Sequence, residues 1–345
     1  MVKFKWCEIL LTLCLLCMLS ACNGKSNKSA YPYSIHVFHS QDNQLTGRLY
    51  LPDGHTDSDP IVILVHGDGA MDSTANGFYL PIIQSLLSEN IAAFSWDKPG
   101  IGQSQGHWLT QSMTQRAAEV KDVISYLNRN GYEYNPIHLL GFSQASWVFA
   151  HLYDEPNIDS MILVGGAANW LAQSQYSMWI RLLEEEKIDA NDMQAIAKIK
   201  ELSQQEYHLI KTGYDHYLSS PLHQHPFMSD PIADEARFNF IRNNIDADVH
   251  EGFSQLTVPM LAIFGDSDTH VDIEHSQLAF ATAYASSMSS KANLVQVTIP
   301  NASHSLLKPE LPFDALFSIE KQHFAPGAIE TMVNWLTGQH PGAAQ

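Results

Sequence analysis

The feature that most constrains this chain is the run Ile137-His138-Leu139-Leu140-Gly141-Phe142-Ser143-Gln144-Ala145. A short apolar stretch, Ile137 to Leu140, enters it, and a helix-like apolar stretch, Ala145 to Leu152, leaves it. A strand that passes into a helix this abruptly needs small residues two positions before and two after the tip of the turn. Gly141 and Ala145 fill those positions, and Ser143 sits at the tip.

The rest of the chain supplies the partners. Tyr33 to Ser40 and Leu45 to Leu51 read as short strands, the second alternating apolar and polar residues. Ile61 to Val65, Ile91 to Trp96, Ile137 to Leu140, Met161 to Val164, Met260 to Phe264 and Leu294 to Ile299 are apolar runs of strand length. Helical patterns alternate with them at Tyr79 to Leu87, Thr114 to Leu127, Ile273 to Ser286 and Ile329 to Leu336. This alternation predicts an eight-stranded, mostly parallel sheet with helices on both faces and an antiparallel opening pair. Between Ala168 and Phe253 the strand signal vanishes, and helical runs appear at Tyr176 to Glu186, Ala190 to Leu209 and Ala233 to Ile245. We read 33–167 and 254–340 as the core and 168–253 as an inserted helical cap. A length of 345 residues suffices for a large core. The formal net charge of −18 argues against nucleic acid, whose phosphates demand clustered Lys and Arg.

A serine hydroxyl is a weak nucleophile at neutral pH and needs a base, which in turn needs an orienting acid. Four further loops follow strands: His66-Gly67-Asp68-Gly69, Asp97-Lys98-Pro99-Gly100-Ile101-Gly102-Gln103-Ser104, Gly265-Asp266-Ser267-Asp268-Thr269-His270-Val271-Asp272, and Asn301-Ala302-Ser303-His304. With Gly141-Phe142-Ser143-Gln144-Ala145 they resemble the α/β-hydrolase superfamily. Two departures are the final Ala145 in place of Gly and Asp272 in place of the usual Pro. The resemblance implies Ser143 as nucleophile, Asp268 as acid and His304 as base. It implies the backbone N–H groups of Asp68 and Gln144 as the oxyanion hole, with the Asp68 side chain turned away. Asp266 and His270 are the rivals, read as a turn-capping residue and a pocket-rim residue. The Asp97 to Ser104 loop is implied to be structural. Gly100, Gly102 and Gly106 lack the dinucleotide spacing, so NAD is set aside and no cofactor is expected. His223, His225, Asp215 and His216 read as a polar loop, and no metal is expected. An apolar inner cap face around Trp170, Tyr176, Met178, Trp179, Ile180 and Leu183 suggests an acyl pocket.

All four cysteines lie at the start of the chain, at 7, 14, 17 and 22. Lys3 and Lys5 precede an apolar run from Ile9 to Leu19, which ends in Leu19-Ser20-Ala21-Cys22. That tetrad resembles the bacterial lipobox. It implies a signal peptide over 1–21, lipidation of Cys22, a tether over 22–32, and a place in the cell envelope, with the outer membrane facing the periplasm as the expected site. The expected activity is hydrolysis of small carboxylic esters through an acyl-enzyme. Thioester, amide or peptide cleavage, or ligand binding on an inactive hydrolase fold, are the alternatives.

Overall fold

The structure is a computed structural model and describes residues 32–339 apart from 288, 290, 291, 313, 314, 316 and 317. The signal-peptide and lipidation expectations therefore fall outside the described residues. Eight strands form one sheet: β1 (Ser34–Ser40), β2 (Asn43–Tyr50), β3 (Ile61–Val65), β4 (Ala92–Trp96), β5 (Ile137–Phe142), β6 (Ser160–Val164), β7 (Met260–Gly265) and β8 (Leu294–Ile299). Their order across the sheet is β1-β2-β4-β3-β5-β6-β7-β8. β1 and β2 are antiparallel to each other, and β2 is antiparallel to β4. The pairs from β4 through β3 to β8 are parallel.

The central strands read as unbroken apolar runs because both of their faces are covered. Ile61, Ile63 and Val65 of β3 enter one apolar layer, and Val62 and Leu64 enter the other. The first layer is closed by helices α2 (Met113–Leu127) and α9 (Ile273–Ala285). The second is closed by α1 (Leu80–Ser88) and α10 (Ala328–Leu336). α2 starts on a capping box in which Ser112 Oγ accepts from Gln115 N and Gln115 Oε1 accepts from Ser112 N. The helix after β5 is short: α3 (Ala145–Phe149) ends three residues before the apolar run does.

The segment between β6 and β7 contains α4 (Trp170–Glu184), α5 (Met193–Lys211), α6 (Tyr214–Leu218), α7 (Glu235–Asn244) and α8 (His250–Gln255). This helical cap has two apolar clusters of its own, around Leu182, Ile199 and Leu202, and around Tyr217, Phe238 and Ile245. Sheet and cap belong to one compact unit. Asn244 of α7 helps join them: its Oδ1 accepts from Met113 N at 2.9 Å, and its Nδ2 donates to Gln111 O at 3.0 Å. Among the described residues no helix is long and apolar enough to cross a membrane.

Two charged residues of α2, Arg116 and Glu119, point into the protein and are buried. Glu119 accepts from Trp96 Nε1 at 3.1 Å and from Gln111 Nε2 at 2.5 Å. Burial outweighs these bonds and the nearby cations and pushes its carboxyl up to about 7. The unfolded chain releases this proton near the ordinary value of 4.5, and the folded chain retains it until about pH 7. Folding stability from this group therefore falls as pH rises between those two values, by roughly 3 kcal/mol. Glu119→Gln, which mimics the protonated form, should remove that fall. Urea unfolding of both proteins should show the variant gaining on the wild type between pH 4.5 and 8. Parallel stability curves would contradict the assignment.

Candidate active site

The carboxyl ends of the parallel strands all open on one edge of the sheet, where ligands of such folds bind. The loops after β3, β5, β7 and β8 meet there.

Ser143 is at φ +53°, in the left-handed region that side chains other than glycine rarely enter. Its N–H donates to Val164 O of β6 at 2.7 Å, which fixes the tip against the neighbouring strand. The need for small flanking residues is visible directly. A Cβ added to Gly141 would lie 2.7 Å from Ala145 Cβ and 2.6 Å from Phe149 Cζ. Alanine at 145 is tolerated because glycine stands opposite it.

His304 Nδ1 is 2.8 Å from Asp268 Oδ2, and the Asp268 side chain is fully buried. The other oxygen, Oδ1, accepts from His270 N at 2.7 Å and Val271 N at 3.1 Å, so the carboxylate cannot swing away from the imidazole. The His304 ring lies on Gly165, where a Cβ would come within 2.9 Å of both Nδ1 and Cε1. Ser143 is bonded to Val164 and His304 packs on Gly165, so consecutive residues of one strand end hold both. Ser143 Oγ has no hydrogen-bond partner among the described residues. Such contacts tighten when substrate arrives. Of the rivals, Asp266 is exposed and bonds Ser267 Oγ within its own loop. His270 is exposed and stacks on His304, with ring centroids 5.0 Å apart. Its ring face meets the His304 ring, and it is His304 that pairs with the Asp268 carboxylate.

The loop after β3 stands against the Ser143 turn: a Cβ on Gly67 would lie 3.1 Å from Phe142 O and 3.4 Å from Ser143 Cβ. Gly69 adopts φ +97°. Gly69 thus supplies the unusual backbone angle, and Gly67 supplies the close approach. Neither Asp68 N nor Gln144 N has a hydrogen-bond partner among the described residues. Two buried cations set this loop. Lys98 Nζ donates to Gly67 O at 2.6 Å and Gly69 O at 2.8 Å. Arg116 donates to His66 O, to Gly67 O at 3.3 Å and to Gln144 Oε1 at 2.6 Å. Burial foremost, with the Arg116 charge, pulls the Lys98 ammonium well below its usual range. His66 is buried between Tyr79 and Trp96, and burial lowers it to about 3, so it is neutral. The Asp97 loop buttresses from below, with Asp97 Oδ1 accepting from Ser73 N at 2.7 Å. Sequence reasoning missed Lys98 and Arg116.

The Asp68 carboxylate turns to the cap, where Arg237 of α7 grips it with two bonds, Nη1 to Oδ1 at 2.9 Å and Nη2 to Oδ2 at 2.5 Å. Against the desolvation of its site, this pairing holds the Asp68 carboxyl below its ordinary value.

A cavity of about 490 Å³ opens over Ser143, Gln144 and Asp68. Its apolar lining includes Trp147 stacked on Trp170 at 4.9 Å, with Met178 and Met228. Polar residues interleave with these in the lining: Gln173, Ser174, Ser177, Arg181, Glu206 and Ser229. The apolar pocket expected from α4 is thus divided. Trp170 and Met178 face this cavity, while Tyr176 and Trp179 face a second one of about 760 Å³ against α5 and the Asp268 loop. His223 Nε2 donates to Tyr217 O of α6 at 2.9 Å, and His225 Nδ1 accepts from Phe227 N at 3.1 Å.

Several comparisons bear on these features. The chain matches no curated protein at a significant level. An esterase of Pyrococcus furiosus is similar in structure, at 16% identity over 83% of this chain and 88% of that one, with a TM-score of 0.54. Est1E from Butyrivibrio proteoclasticus, in a structure with ferulic acid bound, gives 15% identity over 88% and 97% and a TM-score of 0.53. A proline iminopeptidase of Mycobacterium smegmatis gives 15% identity over 88% and 98% and a TM-score of 0.54. At such identities the likeness establishes the fold. Residues 56–310 match the family model described as serine aminopeptidase, S33, and the chain belongs to that family of α/β-hydrolases.

Proposed function

We propose that the protein is a serine hydrolase that cleaves carboxylic esters through an acyl-enzyme. The observation that carries this reading is the pairing of His304 with the buried Asp268 carboxylate, together with two N–H groups that have no partner among the described residues and Ser143 at the strained tip of its turn. In this reading His304 Nε2 takes the proton of Ser143 Oγ as the oxygen bonds the ester carbonyl carbon. The carbonyl electron pair moves onto its oxygen, where Asp68 N and Gln144 N hold it. Collapse breaks the bond to the alkoxide, which leaves with the proton from His304. Water then repeats the sequence on the acyl-enzyme and frees Ser143. Asp268 orients the imidazole and stabilises its charged form. The mixed walls of the cavity support acyl groups that are short or carry polar substituents.

A second reading, cleavage of an amide or peptide bond by the same residues, is favoured by the description of the matching family. Turnover of p-nitroanilides above that of the matching p-nitrophenyl esters would select it.

A fluorophosphonate probe should label the wild type and leave Ser143→Ala unlabelled. Among p-nitrophenyl esters the rate should be greatest for short acyl chains and fall as they lengthen. A folded wild type that resists the probe would sink the reading. We also propose that Cys22 carries the lipid that holds the enzyme to a membrane. Cells fed radiolabelled palmitate should then incorporate it into the wild type and not into Cys22→Ser, and labelling of both would count against it.

A further inference from the structure

We infer that Arg237 is a positioning residue that makes the oxyanion site usable, by drawing the Asp68 carboxylate away from it and neutralising it. This rests on the serine-hydrolase reading above.

The problem it solves is built into the sequence. Asp68 is the residue whose N–H is aimed at the developing oxyanion, so its carboxylate is tied by three covalent bonds to the very donor that must stabilise negative charge. An unpaired carboxylate there repels the transition state more than the neutral ester, because only the transition state is anionic at that oxygen. Asp68 also lines the cavity, and its side chain is 39% exposed, so packing alone does not dispose of its charge.

Arg237 is made to hold it. The guanidinium meets both carboxylate oxygens in a bidentate pair, the geometry that fixes direction as well as charge. It is stacked in place, with its Cζ 5.1 Å from the Phe240 ring and 5.9 Å from the Trp108 ring. Lys98 Nζ lies 5.3 Å from the same Trp108 ring and holds the carbonyls on either side of Asp68. Lys98 thus fixes the Asp68 backbone, and Arg237 fixes its side chain. Arg237 belongs to the cap and Asp68 to the core, so the oxyanion loop takes its final electrostatic form only when α7 is seated.

The test is a rescue. Arg237→Met keeps the apolar stem on Phe240 and Trp108 and removes the charge, and Asp68→Asn removes the carboxylate while leaving the backbone N–H. Thermal melting establishes that each variant is folded. Arg237→Met should lower kcat on a p-nitrophenyl ester by at least about tenfold, with KM changed by less than about threefold. The double variant Arg237→Met/Asp68→Asn should regain at least about fivefold over the single variant. The rate of fluorophosphonate labelling should follow the same order. A double variant no faster than Arg237→Met, or a loss confined to KM, would overturn the inference and leave Arg237 as a fastener of the cap. Absence of labelling in the wild type would instead remove the serine-hydrolase reading, and this inference with it. If Arg237→Met does not fold, Arg237→Lys decides. It keeps the charge without the fork and should lose less kcat than Arg237→Gln.

Discussion

The site depends on where three backbone carbonyls point. The oxygens of His66, Gly67 and Gly69 are turned inward onto Arg116 and Lys98, two cations buried beneath the loop. A peptide plane whose oxygen is pinned on one side presents its N–H on the other, so the grip on Gly67 O sets the direction of Asp68 N–H. Buried cations are costly unless they are fully bonded. Here the acceptors are main-chain oxygens, which cannot retreat, so the cost is converted into a rigid loop. The same Arg116 reaches Gln144, whose N–H is the other candidate donor. One guanidinium therefore sets both halves of the candidate oxyanion hole.

The Asp268–His304 pair is held with the same economy of parts. Asp268 uses one oxygen to fasten itself to its own loop and the other to orient His304. Gly165 provides the floor on which the imidazole lies, and Val164 just before it holds the Ser143 turn. The strand ends are thus a jig. Its accuracy comes from the parallel register of β5, β6 and β7, in which Phe142 pairs with Val164 and Val164 with Ile263.

The sheet was legible because its central strands are covered on both faces, and buried strands must be apolar throughout. The loops that carry Ser143 and Asp268 were legible because each follows such a strand, and the loop that carries His304 follows β8, an edge strand whose apolar residues are interrupted by Gln296 and Thr298. What escaped was charge that faces inward. Arg116 and Glu119 flank the apolar stripe of α2, and amphipathic reasoning assigns such residues to water. Apart from Met113 Sδ one turn back, their partners lie 8 to 50 residues away along the chain, in segments whose placement no local pattern reveals. Arg237 is hidden for the same reason, since its partner is 169 residues distant. The first cap helix also begins at Trp170, six residues before its periodicity becomes clear. Asn169 caps it by accepting from Ala172 N, a signal that was present and passed over.

The central claim is that Ser143 becomes covalently acylated during turnover. The most direct measurement is to mix the enzyme with a p-nitrophenyl ester, quench in acid within the first turnovers, digest, and locate the acyl group by mass spectrometry. The account predicts the acyl mass on the peptide that carries Ser143, and its absence when His304 is replaced by alanine. Ester consumed with the acyl group on another residue, or on none, would contradict it.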